Sequence, residues 1–219
     1  MSLQDFDPTL YLVSDAVLCG PRGVVETVRQ AVAGGVTCVQ VRAKDLSAAE
    51  CLALLIEVAD AVGGLVPVIV DDRVDVYLAA RHRGAAVHGV HVGQSDLPVE
   101  SVRALVGREA IVGWSANTVE HLDVAGRLPP GTVDYLGVGV IRATTTKPDH
   151  PIPLGIEGFE RLRRLTALPC VAIGGIHEGD LAALRRAGAT GAAVVSALCA
   201  AKDPRAAAVS LRREWDHAA

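Results

Sequence analysis

Eight short Val-, Ile- and Leu-rich runs in strict alternation with eight longer amphipathic runs predict an α/β fold, a single-domain (β/α)8 TIM barrel over residues 1–219. The length suits one such unit with a sizeable core. A third observation is positional: chemistry-capable side chains follow the apolar runs, where barrel sites are built, and bland ones precede them.

The predicted strands are Leu10 to Ser14, Thr37 to Arg42, Pro67 to Val70, Gly89 to Val92, Ile111 to Trp114, Tyr135 to Gly139, Cys170 to Ile173 and Ala192 to Val195. Each is too short and too continuously apolar to be a surface helix, as expected of parallel strands buried on both faces. The predicted helices between and after them are Gly23 to Ala33, Ala48 to Val62, Val74 to Arg81, Val99 to Val106, Val119 to Arg127, Glu157 to Thr166, Glu178 to Ala187 and Pro204 to Trp215. An open doubly wound sheet is the other arrangement this alternation permits. The absence of a Gly-rich dinucleotide loop at the first helix weighs against it. The longest stretch between elements, VIRATTTKPDHPIPLG (140–155), follows the sixth strand and reads as a functional loop.

Half the residues are hydrophobic, only 3% are aromatic, and the formal charge is -4. No basic block or aromatic stripe tracks nucleic acid, so neither DNA nor RNA is favoured, and charge alone names no partner. Five scattered cysteines, without CxxC spacing, read as buried hydrophobes in a reducing compartment. The start, MSLQDFDPTL, lacks the pattern of a signal peptide, and the apolar stretch 187–201 is too short and interrupted to span a bilayer. A cytoplasmic location and no membrane partner are expected. Oligomeric state is left open, with a homodimer among the options.

In GGVTCVQVRAKD, alternation along a strand puts Gln40, Arg42 and Lys44 on one face. A guanidinium and an ammonium converging at one strand end suit a phosphate, although long cations at a strand end also reach solvent without any ligand. Asp71 and Asp72 follow the third strand, and Asp96 follows the fourth together with Gln94. Alone, Asp72 or Asp96 reads first as a helix cap. Together, beside the cations, they read as hard oxygen donors for Mg2+, which takes one or two carboxylates and completes its shell with water and phosphate oxygens. Ser115 follows the fifth strand, Thr144 to Lys147 the sixth, Gly174 and Gly175 the seventh, and Val195 and Ser196 the eighth, where backbone N–H groups commonly bind phosphate.

His91 falls inside an apolar strand, on the parity opposite Gln94 and Asp96, and reads as a core or supporting residue. His82, His121, His177 and His217 read as helix-surface residues, and His88 and His150 remain unassigned. No nucleophile elbow or Ser/His/Asp order is present, which disfavours covalent hydrolysis.

With LYLVSD, GGVTCVQVRAKD, VPVIVDDRVD, GVHVGQSDLP, IVGWSAN, DYLGVGVIRATTTK, VAIGGI and AGATGAAVVSAL in order, the chain resembles the thiamine phosphate synthase family almost from end to end. The resemblance implies a Mg2+-dependent transferase of thiamine biosynthesis. It would join hydroxymethylpyrimidine pyrophosphate to a thiazole phosphate and release pyrophosphate by a dissociative mechanism. It further implies that Arg42, Lys44 and Lys147 hold the pyrophosphate and that Asp72 and Asp96 hold the metal. Gln40, Ser115 and Thr144 would position the pyrimidine and pyrophosphate, with Asp71 beside them. Thr146, Gly175, Val195 and Ser196 would receive the thiazole phosphate. Arg42, Lys44, Lys147 and Ser115 would carry most of the catalysis.

The chain departs from the family pattern at Asp71, where Asn is usual, and at Ala43, where an acidic residue is usual. It also departs at Val140 and Arg142, where Pro and an apolar or aromatic residue are usual. Two other readings remain at this point: a thiazole tautomerase-like isomerase, and a catalytically silent phosphate-binding or regulatory paralogue.

Overall fold

Short strands that are mostly apolar on both faces need cover on both sides, and the chain supplies it by closing the strands into a ring with helices outside. The computed structural model describes residues 6–144, 146 and 151–218. Among them the strands are β1 (Leu10–Val13), β2 (Cys38–Val41), β3 (Val68–Asp71), β4 (Gly89–Val92), β5 (Ile111–Ser115), β6 (Tyr135–Gly139), β7 (Cys170–Ile173) and β8 (Gly191–Val194). All neighbours pair in parallel, in chain order, and β8 pairs back onto β1 through Leu10 with Ala192 and Leu12 with Val194. The barrel is closed, and the open-sheet arrangement is excluded.

Outside lie α1 (Ala16–Cys19), α2 (Gly23–Ala33), α3 (Ala48–Val62), α4 (Val74–His82), α5 (Val99–Val106), α6 (Val119–Arg127), α7 (Gly155–Arg163), α8 (Leu181–Arg186), α9 (Ser196–Cys199) and α10 (Pro204–Asp216). Local chemistry sets several boundaries. Ser47 and Glu50 form a reciprocal capping box at the start of α3, and Gly63, with φ 60, ends that helix. Thr118 caps α6, while Asp203 caps α10 with Pro204 at its first position.

The eight predicted strands are all present, with ends differing by a residue at most. The predicted helix 178–187 is shorter than expected. Gly179 has φ 97, outside the helical region, and the Glu214 carboxylate accepts from Gly179 N (2.8 Å) and from the first-turn donor Ala182 N (3.1 Å), which supports the later start. The four-residue helices α1 and α9 were not predicted, because one turn carries no readable period.

Alternate strand residues separate two cores. Facing out, Leu12, Val39, Val70, Val90 and Leu136 pack under the helices, and facing in, Tyr11, Cys38, Ile69, Ile111, Tyr135, Val171 and Ala193 fill the barrel. Gly113 faces inward because there is no room for more: a Cβ there would lie 2.3 Å from both His91 Nδ1 and Tyr135 Cζ. All five cysteines are buried and free. Among the described residues no helix is long and apolar enough to cross a membrane.

Candidate active site

The carboxyl ends of β2, β3 and β4 carry an interlocked set of charges. Arg42, one residue beyond β2, sits between Asp15 (3.9 Å) and Asp71 (3.7 Å), and its backbone N–H donates to Ser14 Oγ at 3.0 Å. Lys44 Nζ lies 3.1 Å from Asp72 Oδ2. Ala43 turns the other way and packs against the outer core, as strand alternation requires.

Asp71 ends β3 facing inward, and burial pushes its carboxyl up to about 7, with the Asp72 charge adding to the rise and Lys44 and Arg42 opposing it. The carboxyl of Asp96 is raised by burial and by Asp72, while the Gly93 N–H, donating at 2.7 Å, pulls it down. Burial alone would lower Lys44, but its hydrogen bond to Asp72 and the charges of Asp72 and Asp71 together outweigh that, and the ammonium is held more firmly than usual. The helix-cap reading fails for both acids, since neither α4 nor α5 has a side-chain cap and Asp96 bonds within its own loop. Asp72 adopts φ 59, a left-handed conformation that Asp tolerates better than most residues.

Among the described residues no group of three or more His, Cys, Asp or Glu is placed to hold a metal by itself. The donor set nevertheless fits Mg2+: two hard carboxylates, Asp72 and Asp96, close enough for one charge to raise the other, leave the remaining positions to water and phosphate oxygens.

Deeper in the barrel, Gln40 is 3% exposed and its buried Nε2 has no partner among the described residues. A buried amide donor left unpaired is costly, and a ligand acceptor would relieve it. Ser115 ends β5 facing inward, and its Oγ lies 3.0 Å from His91 Nε2, while its carbonyl accepts from Gln94 Nε2. His91 is therefore the supporting residue that its place in an apolar strand indicated. The parity comparison with Gln94 and Asp96 does not carry over, because both lie past the end of β4. His88, unassigned from sequence, accepts from Val68 N at 3.1 Å at the opposite end of the barrel.

The ends of β6, β7 and β8 form the other half of the mouth. Gly174 and Gly175 have φ 93 and 65, and a Cβ on Gly175 would lie 2.9 Å from the Arg142 carbonyl oxygen. Thr144 and Thr146 join through their hydroxyls at 2.8 Å. Val195 and Ser196 form the turn from β8 into α9. Lys147, with His150, lies outside the described residues. Arg142 pairs with the buried carboxylate of Asp180, and Val140 packs on Gly174, so the β6 loop rests directly on the β7 turn.

Three residues at this mouth were not singled out from the sequence: Asp15 beside Arg42, and Tyr11 and Tyr135 below His91. Asp15 follows the first strand in LYLVSD, so the strand-end rule would have found it. No local signal marks the tyrosines. An open cleft of about 200 Å3 lies at the opposite end of the barrel, between α4, α5 and the starts of β4 and β5. Its lining includes His88 and none of the residues at the mouth, and that end of the fold ordinarily serves stability.

The closed barrel, with its charges gathered at one mouth, has the architecture of barrel enzymes, whose sites lie at the carboxyl ends of the strands. The chain belongs to the thiamine monophosphate synthase family, whose model matches residues 10–198. It is 47% identical over 208 residues to a thiamine-phosphate synthase of Albidiferax ferrireducens, covering 94% of this chain and 91% of that protein. It is 50% identical over 181 residues to one from Corynebacterium efficiens, covering 83% of each. The solved thiamine phosphate pyrophosphorylase from Pyrococcus furiosus superposes with a TM-score of 0.84 at 30% identity over 98% of each chain. The chain is accordingly a transferase.

Proposed function

We propose that the enzyme joins hydroxymethylpyrimidine pyrophosphate to a thiazole phosphate, releasing pyrophosphate and forming thiamine phosphate. The observation that carries this reading is the pairing of Arg42 with Asp71 and Lys44 with Asp72 across adjoining strand ends. Both cations are held in place by carboxylates, and a metal held by Asp72 and Asp96 would leave Lys44 available to a polyanion.

In this reading Arg42, Lys44 and Lys147 grip the pyrophosphate, and Gln40, Ser115 and Thr144 orient it and the pyrimidine. Thr146, Gly175, Val195 and Ser196 receive the thiazole phosphate. Mg2+, when bound, neutralises charge on the leaving pyrophosphate. The C–O bond breaks first, and pyrophosphate departs with the electron pair while the cations above stabilise its growing charge. The thiazole nitrogen then donates its lone pair to the pyrimidine methylene cation, and no proton has to be removed. That balance agrees with a site rich in cations and oriented amides and hydroxyls; its main task is to align the acceptor and hold the leaving group.

The test is a reaction of the purified chain with both substrates, with and without Mg2+, following thiamine phosphate and pyrophosphate. Stoichiometric formation of both products that depends on Mg2+ supports the reading. Isomerisation of a thiazole carboxylate phosphate with no condensation would replace it with the tautomerase alternative, and binding without turnover would replace it with a silent phosphate binder.

A further inference from the structure

A chain of four side chains crosses the barrel interior and ends at Ser115. Tyr11 Oη lies 2.8 Å from Tyr135 Oη, Tyr135 Oη lies 3.0 Å from His91 Nδ1, and His91 Nε2 lies 3.0 Å from Ser115 Oγ. The first three are buried, and the glycines Gly113 and Gly137 vacate the space that His91 and Tyr135 occupy. With His91 neutral, each member has one hydrogen to give, and the arrangements divide in two according to which His91 nitrogen carries it.

In one direction Tyr11 donates to Tyr135, Tyr135 to His91 Nδ1, and the His91 Nε2–H to Ser115 Oγ. The Ser115 hydrogen is then free to point into the mouth. In the other, the Nδ1–H donates to Tyr135, Ser115 spends its hydrogen on His91 Nε2, and one phenol hydrogen, that of Tyr11 or of Tyr135, has no place in the chain. The neighbour available to the Tyr11 hydrogen at the closed end is the Cys38 sulfur, which sits opposite Tyr11 on β2 and is a weak acceptor. The first direction leaves no buried hydrogen unused. Both phenols are also pushed well above their ordinary range by burial, so they remain hydrogen-bearing groups.

We infer that Tyr135 and His91 are positioning residues: they fix His91 as the Nε2–H tautomer and so keep the Ser115 hydroxyl hydrogen free to donate to an acceptor atom of the bound substrate. No proton is transferred along the chain; its effect is to set which way Ser115 points. As a statement about turnover, the inference rests on the proposed transferase reading. As a statement about the tautomer, it stands on the free protein.

The direct test is 15N NMR of the full chain labelled at histidine, without substrate. The wild type is expected to show His91 with its proton on Nε2, and the same in Tyr11→Phe, which leaves Tyr135 able to donate. Tyr135→Phe is expected to introduce the Nδ1–H form. A wild-type His91 carrying its proton on Nδ1 overturns the inference, whatever the variants do and whatever reaction the enzyme catalyses. The kinetic arm uses both substrates. Tyr135→Phe should lower kcat about tenfold with the thiazole phosphate KM unchanged, the scale of one weakened hydrogen bond. In a Ser115→Ala background it should cost nothing further, because the two act as a unit. A Tyr135→Phe loss of equal size with and without Ser115 would also overturn it.

Discussion

Lys44 Nζ and Asp72 Oδ2 lie 3.1 Å apart, joining the loop after β2 to the end of β3. The contact holds in one place a cation assigned to the pyrophosphate and a carboxylate assigned to the metal. Binding a metal and a polyanion together would let each leave the other for a stronger partner, so neither charge has to be exposed alone. Metal and pyrophosphate are therefore expected to bind cooperatively, and the predictions at Asp72 and Asp96 follow.

Asp72→Asn and Asp96→Ala should each lower Mg2+-dependent turnover by at least about 100-fold, the scale of losing one main electrostatic contact in a site. Melting temperatures should change little, because neither residue caps a helix. Asn is chosen at position 72 because Ala at φ 59 would add roughly 1 kcal/mol of backbone strain. Retained activity with an unchanged Mg2+ requirement in both variants would remove these residues from the metal site.

Asp71→Asn should stabilise the metal-free protein at pH 8. The folded-state pKa is raised from 3.8 to about 7, so the folded chain holds this proton more tightly than the unfolded chain does. The stabilising contribution is complete below 3.8 and is lost as pH rises through about 7. Removing the group should gain on the order of 1–3 kcal/mol at pH 8 and nothing near pH 4, read by denaturant unfolding at both pH values. The same variant should lower the KM for the pyrimidine pyrophosphate, most clearly at low Mg2+, because a negative charge beside the polyanion is removed. A raised Mg2+ requirement would instead make Asp71 a metal ligand.

Gly175→Ala should weaken thiazole phosphate binding and destabilise the protein by roughly 1–3 kcal/mol. Its φ of 65 strains any L side chain, and the new Cβ would meet the Arg142 carbonyl oxygen at 2.9 Å. Calorimetry of thiazole phosphate binding alongside thermal melting separates the two effects, and an unperturbed variant would refute the close approach of the β6 loop to the β7 turn.

Arg103→Ala should cost roughly 3 kcal/mol of stability and leave kcat and KM unchanged. Arg103 Nη2 lies 2.6 Å from Asp134 Oδ2, which also accepts from Val112 N, and Arg103 Nη1 donates to the carbonyls of Gly107 and Ala110. All of these lie where β5 and β6 begin, away from the mouth. Altered kinetics at full stability would tie that end of the barrel to function.

The alternation of strands and helices, and most of the polar residues at the mouth, were legible in the sequence because both are local. A parallel strand buried on two faces has to be an apolar run, and chemistry that has to meet solvent can only sit where that run stops. Arg42, Asp72, Asp96, Ser115 and Gly175 could therefore be named from position alone. Closure of the ring, which brings Leu10 beside Ala192, could be expected from the count of eight but was decided only by long-range pairing. The burial that raises Asp71 depends on neighbours from three strand ends, and the bond between Tyr11 and Tyr135 spans 124 residues of chain. No local period records such contacts, because they arise when the barrel interior is packed and every inward side chain must find volume and a hydrogen-bond partner among residues remote in sequence.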